Sequence, residues 1–391
     1  MTKKFFLKIL FGFLAWKIFC LLVAFLATFF IILNPKFTPM LLFGARLPYL
    51  LWVWGNFDGM HYMEIAQNGY HTLENAFFPF YPLLIKTLML SLNRFFYLNY
   101  LLSAQIISGL SLFFALLVIY SITVIDKVKK IFPLLLLIIL TFPTSFYYGA
   151  VYNDSLFLLL ACLTILFSRK KSFLTASIFA FLATLTRLNG LALVFIILFE
   201  YASFDWNKKE IKARFFEAFS LKKIKESKVF SVILVPIAFV LYLFYTQLVA
   251  GSWTAVFSSM KGWGQDKLIL PPQVVFRYFK IIVLNPSFTL PYLIAFFELF
   301  SVVFYIFLLI YSWKKIRLSY WLFFAASILI PSLTGTFQGM PRYGLHLFPF
   351  FIAITLFLEN KNLAVKIIYF TVVLILLIAG ISLFTRGYFV A

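Results

Sequence analysis

The chain has 391 residues, 63% of them hydrophobic and 12% charged, with a mean hydropathy of +1.00. That balance excludes a soluble globular protein, and runs that are apolar all round, such as "SLFFALLVIYSITVI" at 111–125, exclude a barrel of alternating strands. The formal charge of +21 is gathered in short basic clusters, as cytoplasmic loops of a membrane protein are, so it does not point to nucleic acid.

The expected fold is therefore all-α: a polytopic membrane helical bundle of about 11 transmembrane helices in a single integral membrane domain, 1–391. Lys3, Lys4 and Lys8 precede the first span, near 9–33, and place the N-terminus in the cytoplasm. That segment is longer than a signal-peptide core and has no small-residue cleavage site, which predicts an uncleaved helix. A first outer loop follows at 34–98, with 76–95 amphipathic enough to lie along the interface as a short helix.

Further spans are expected near 99–125, 131–150, 154–168, 173–187, 190–204, 229–249, 288–312, 319–334, 344–358 and 363–385. The basic clusters "DKVKK" at 126–130, "SRKKS" at 168–172, "WKKIR" at 313–317 and Lys361 with Lys366 all then fall inside the cell. The segment 205–228, with basic and apolar residues at helical spacing, is expected as a cytoplasmic helix on anionic lipid. The segment 272–285 reads as a second outer interfacial helix. Cys20 and Cys162 lie in apolar runs and form no disulfide framework or metal site. No internal repeat is evident.

This threading puts His61, His71, His346 and the densest polar motifs on the outer face. In "FDGMHYMEIAQNGY", Asp58 is either the N-cap of a short helix ended by Asn68-Gly69, or a carboxylate base with His61 and Tyr62 one turn along the same face. Asp154 in "YNDSLF" is most simply an N-cap. Arg187 in "TRLNG", followed by Asn189 and Gly190, is either a snorkelling cation or a clamp on a phosphate. In "GMPRYGLHLFPF", Arg342 and Tyr343 are either interfacial anchors or, with His346, parts of a shaped loop beside a ligand. Glu298 is the clear charge within a span and needs a partner that the sequence does not name. No phosphate-binding glycine loop, HExxH or Rossmann unit is present, so a nucleotide cofactor has no visible home.

The first motif and "AFFPFYPLL" after it resemble the first outer loop of the PIG-V-type mannosyltransferases, which comprise the second mannosyltransferase of glycosylphosphatidylinositol synthesis and its bacterial relatives. Asp58, His61, Tyr62, Ile65, Ala66, Gly69, Tyr70, Phe77, Phe78, Pro79 and Pro82 match that pattern, while Phe57 stands where the family usually has Trp. "YNDSLF" is similar to the family's Tyr-Ser-Glu-x-Leu-Phe, with Asn153-Asp154 for Ser-Glu. "TRLNGL" is similar to its Arg-x-Asn-Gly, and "MPRYGLHLFP" to its late Arg-Tyr segment, so the likeness covers about 50–350.

The resemblance implies a glycosyltransferase of the GT-C type with a polyprenyl-phosphate sugar, mannose in the family, as donor and a lipid-linked or envelope acceptor. It implies Asp58 as base, with His61 beside it, and inversion at the sugar's C1. Tyr62, Asp154, Arg187, Asn189, Arg342, Tyr343 and His346 are the residues expected at the substrates. No cofactor is expected, and an Asp58–Asp154 metal pair is the alternative to a metal-free site. Prokaryotic plasma membrane is the expected location, and membrane lipid is a partner. The sequence names no partner subunit. The competing classes are a GT-C transferase of another sugar, a transporter or flippase, and a non-catalytic scaffold.

Overall fold

The computed structural model describes residues 3–34, 36, 48–71, 73–96, 99–203, 206, 228–265, 268–284, 286–287 and 289–390. Among these the secondary structure is helical without a strand, apart from one isolated bridge between Ile269 and Thr334. The helices of seven residues or more are α1 (Lys3–Phe30), α2 (Asp58–Asn68), α3 (Phe80–Phe96), α4 (Tyr100–Ile125), α5 (Phe132–Thr141) and α6 (Asp154–Arg169). They continue with α7 (Phe173–Thr184), α8 (Leu193–Tyr201), α9 (Leu234–Ala250), α10 (Ala255–Lys261) and α11 (Pro271–Leu284). The last are α12 (Leu290–Ser312), α13 (Leu318–Ser332), α14 (Phe348–Glu359) and α15 (Leu363–Thr385).

Each expected span contains a helix, but the helices fall into two classes. Five are long and apolar enough to cross a membrane: α1, α4, α12, α15 and the 229–250 segment that ends in α9. Met340–His346 with α14 makes a sixth only if that pair, bent by 93°, counts as one span. Helices α5, α6, α7, α8 and α13 have 9 to 16 residues. At 1.5 Å per residue even a 16-residue helix covers only about 24 Å of a hydrocarbon core about 30 Å thick. The short helices are interrupted next to the polar motifs. Pro143 disfavours helical backbone at the preceding residue, and Phe142 turns to ψ 139° directly after α5. Such breaks are tolerated at membrane depth only where protein or a lined cavity satisfies the backbone.

The chain divides into two compact units, 1–159 with 355–390, and 160–354. In the first, α1 packs against α4, α5 and α15. Lys129 lies over the Phe5 ring, Lys130 pairs with Glu359 at 3.4 Å, and Lys366 donates to the Glu359 carbonyl, so three basic clusters share one end of α1. At its other end the Asn34 amide bonds the Arg386 carbonyl, and Arg386 Nε donates to the Ile31 carbonyl at 2.7 Å. Lys17, within α1, is an ionisable residue inside a long apolar helix. Its ammonium donates to the Gly149 carbonyl at 3.3 Å while the neighbouring Trp16 indole donates to Ser145 Oγ, so one turn of α1 pins both ends of the 145–149 turn.

In the second unit α9 packs on α7, α8 on α7 and α13, and α11 on α12. Glu200, 1% exposed at its side chain, gathers Arg169 at 3.0 Å, Arg317 at 2.7 Å and the Ser319 hydroxyl at 2.5 Å, while Lys171 donates to its carbonyl. The ends of α6 and α8 and the start of α13 are tied there by one carboxylate. Beside it Trp321 is edge-on to both Trp206 and Trp313, which are tilted against each other, and the Trp206 indole donates to the Ile316 carbonyl. The basic segment expected over 205–228 lies outside the described residues except for Trp206 and Lys228.

Candidate functional site

In the first unit the "FDGMHY" motif opens α2, one residue out of the expected phase. The cap position belongs to Phe57, with φ 56° and ψ −119°, and Asp58 is the first helical residue. That backbone is outside the allowed wells of an L-residue and is costly for an aromatic. It is held from several sides. The Phe57 ring packs on Phe384 and Phe389, the Asn56 amide donates to the Phe384 carbonyl, and the Asp58 amide donates to the Tyr152 hydroxyl at 3.2 Å. Tyr152 in turn donates to the Asn56 carbonyl. Asp58 therefore stands in the positive field of a helix N-terminus without being the capping residue.

Asp154 departs from expectation in the same way. The Asn153 carbonyl accepts the first helical bond, from Phe157, so Asn153 is the cap and Asp154, fully buried, is the first residue of α6. Tyr152 joins its strand of chain to the motif loop. Its carbonyl accepts from Ser108, whose hydroxyl pairs with Tyr81 at 2.7 Å, and its ring lies 6.4 Å from that of Tyr62. Tyr62 is buried edge-on to both Tyr81 and Phe77. Gly59 lets α2 approach this segment, since an added Cβ would meet Val151 at 3.3 Å.

His61 is stacked on Phe77, ring centroids 5.1 Å apart, and its Nδ1 lies 3.4 Å from Glu74 Oε1. The other oxygen of Glu74 accepts the His71 amide at 2.8 Å. Burial works to raise the Glu74 carboxyl, but the bonds from His61 and the His71 amide, with the electrostatic pull of the two neighbouring rings, outweigh it and hold the group below the ordinary carboxylate range. Glu74 escaped the sequence reading because it lies thirteen residues beyond His61, across a turn whose geometry no periodicity records.

The second unit brings together three of its expected site residues. An Arg187 N–H donates to His346 Nε2 at 2.7 Å, and the guanidinium lies 4.8 Å over the Tyr343 ring, itself edge-on to His346. Guanidinium only donates, so Nε2 accepts and the proton of His346 resides on Nδ1. Asn189 is nearly buried and uses its side-chain amide on the Ser327 carbonyl. Gly190 has no space for any side chain, because a Cβ would sit 2.4 Å from the Thr184 backbone. Arg342 is in the turn Met340–Tyr343, which Gly339 enters at φ 78°.

That turn is anchored from two helices. Glu298, on α12, accepts from the Tyr278 hydroxyl at 2.6 Å and from the Gly339 amide. Tyr278 also accepts from the Phe337 amide and pairs with Thr336. This supplies the partner that the sequence left open for Glu298. Nearby, the Tyr305 hydroxyl donates to the Met340 carbonyl at 2.7 Å and accepts from the Gly344 amide at 2.8 Å.

Among the described residues no three His, Cys, Asp or Glu side chains gather as a metal site. No protein-family model matches the chain, and no curated protein matches it.

Proposed function

We propose that this chain is a membrane glycosyltransferase of the GT-C type. It transfers a sugar, mannose by the resemblance of its first motif, from a polyprenyl phosphate to a lipid-linked or envelope acceptor. The observation that carries the reading is the strained backbone of Phe57 immediately before Asp58. A stabilising cap needs no such conformation, whereas strain held by surrounding contacts is characteristic of reactive positions.

In the reaction the acceptor hydroxyl oxygen forms a bond to C1 of the sugar as the C1–O bond to phosphate breaks, with inversion. Asp58 takes the hydroxyl proton, and the polyprenyl phosphate leaves with the bonding electron pair. Arg187 and Arg342 are assigned to the phosphate charge, a task for which a planar guanidinium fork is suited. Arg187 suits it further because the His346 imidazole accepts one of its N–H bonds and the Tyr343 ring lies against its guanidinium. By the resemblance His61, Tyr62, Asp154, Asn189, Tyr343 and His346 are assigned to the substrates.

The topology proposed with this activity is eleven spans in a prokaryotic plasma membrane, N-terminus cytoplasmic and motifs outward. The short helices then cross as partial spans broken next to the polar motifs, as in other membrane proteins that bind ligands at interrupted helices. A transporter reading draws on Lys17 and Glu298, two ionisable residues within long helices. Both, however, make bonds that hold neighbouring turns in place.

The test is to purify the wild type and Asp58→Asn and compare thermal unfolding and consumption of polyprenyl-phosphate mannose in native lipid extract. Equal stability with donor consumption lowered on the order of a hundredfold or more supports the transferase. A stable Asn variant as active as wild type, or a wild type that ignores the donor, overturns this reading.

A further inference from the structure

We infer that Glu74 is a positioning residue for His61, fixing the ring and its tautomer so that His61 accepts a hydrogen bond from a substrate hydroxyl. The inference rests on the transferase reading for the identity of the substrate, and on geometry for everything else. Two independent contacts define the imidazole. Stacking on Phe77 at 23° sets the plane of the ring, and the Glu74 carboxylate at Nδ1 sets its rotation within that plane.

Glu74 is itself immobilised. It is buried, its second oxygen holds the His71 amide, and its own backbone is locked in a turn by bonds from its amide to the His71 carbonyl and from the Phe77 amide to its carbonyl. A carboxylate only accepts, so the nitrogen facing it carries the proton. In the neutral ring Nε2 is then the lone-pair nitrogen, and the imidazole is an acceptor there. Sugars and polyol acceptors offer hydroxyl donors, and an oriented acceptor one turn from Asp58 on the same helix discriminates hydroxyl positions without taking the reacting proton.

The titratable groups around the pair are Asp58 and Glu64 on α2 and His71 on the loop. Glu64 lies 3.8 Å from His71 Nε2. Beyond them are Tyr81 on α3 and Asp154, whose charge reaches Tyr81. None of these replaces Glu74 at Nδ1, since Glu64 is engaged by His71 and the Asn68 amide.

The experiment reads the tautomer directly. With three histidines in the chain, nitrogen-15 spectra of histidine-labelled protein in detergent can be assigned with His71→Gln and His346→Gln. The expected result in wild type at mildly alkaline pH is a proton on Nδ1 of His61, retained in Glu74→Gln, which keeps an acceptor oxygen, and lost in Glu74→Ala. Donor consumption is expected to fall on the order of tenfold in Glu74→Ala and less in Glu74→Gln. A wild-type His61 protonated on Nε2, or a tautomer unchanged in Glu74→Ala, overturns the inference. The spectra need no substrate, so they bear on Glu74 alone, whereas donor consumption by wild type decides whether the chain is a transferase.

Discussion

Arg187 and His346 are separated by 159 positions in the chain, yet a guanidinium N–H of the first donates to Nε2 of the second at 2.7 Å. The contact makes His346 a neutral acceptor and fixes the plane of the guanidinium, with Tyr343 beneath it. An ammonium in its place keeps the charge but has no fork and no plane. Arg187→Lys is therefore expected to lower consumption of polyprenyl-phosphate mannose at least about tenfold while leaving the unfolding temperature close to wild type. Full activity in the Lys variant would remove Arg187 from the phosphate.

Gly190 is a packing requirement. The turn carrying Asn189 lies so close to the end of α7 that a methyl group would overlap the Thr184 backbone. Backbone cannot swing aside as a long side chain does, so Gly190→Ala is expected to cost about 3 kcal/mol. Thermal unfolding of the purified variant measures it.

Glu200 is a carboxylate shared by Arg169 and Arg317. Its neutral analogue leaves two guanidinium groups facing each other without the charge between them. Glu200→Gln is expected to destabilise the protein by about 3 kcal/mol, the lower end for a broken buried pair because Arg317 is partly exposed. Unfolding at low and high salt checks the cause, since added salt narrows the deficit if repulsion between the arginines produces it.

Tyr278 offers one hydroxyl to Glu298, Thr336 and the Phe337 amide. Removing it in Tyr278→Phe should cost about 2 kcal/mol locally, equivalent to about thirtyfold faster hydrogen exchange at Phe337 and Gly339. Exchange that is unchanged at those amides would show that the turn is held elsewhere.

The carboxyl of Glu74 titrates below its ordinary range in the folded chain, so the fold binds fewer protons there than the unfolded chain does. Its contribution to stability is full above the unfolded value, near 4.5, and disappears as pH falls through the lower folded value. Wild type should therefore lose more stability than Glu74→Gln between pH 7 and pH 3, with the two unfolding temperatures converging in acid. A parallel decline in both would assign the acid sensitivity to other groups.

The helical class and the long spans were legible because a run of apolar residues has the same meaning at any place in the chain. The starts of α2 and α6 were legible to within one residue, which was enough to find Asp58 and Asp154 and too coarse to see that Phe57 and Asn153 hold the cap positions. What the sequence could not supply is contact between distant turns. Glu74 on His61, Arg187 on His346 and Tyr278 on Glu298 are each set by how helices end and return, and no local pattern encodes them. Lys17 is a different case, because its charge within the first apolar run was visible from composition alone.

The hydroxyl of Tyr305 has a consequence for how the bend at 340–346 behaves. By donating to the Met340 carbonyl and accepting from the Gly344 amide it performs the office of a bridging water, tethered by its own side chain. A true water could leave, rotate or be displaced by an incoming headgroup. This one cannot, so the bend that carries Arg342 and Tyr343 keeps one shape.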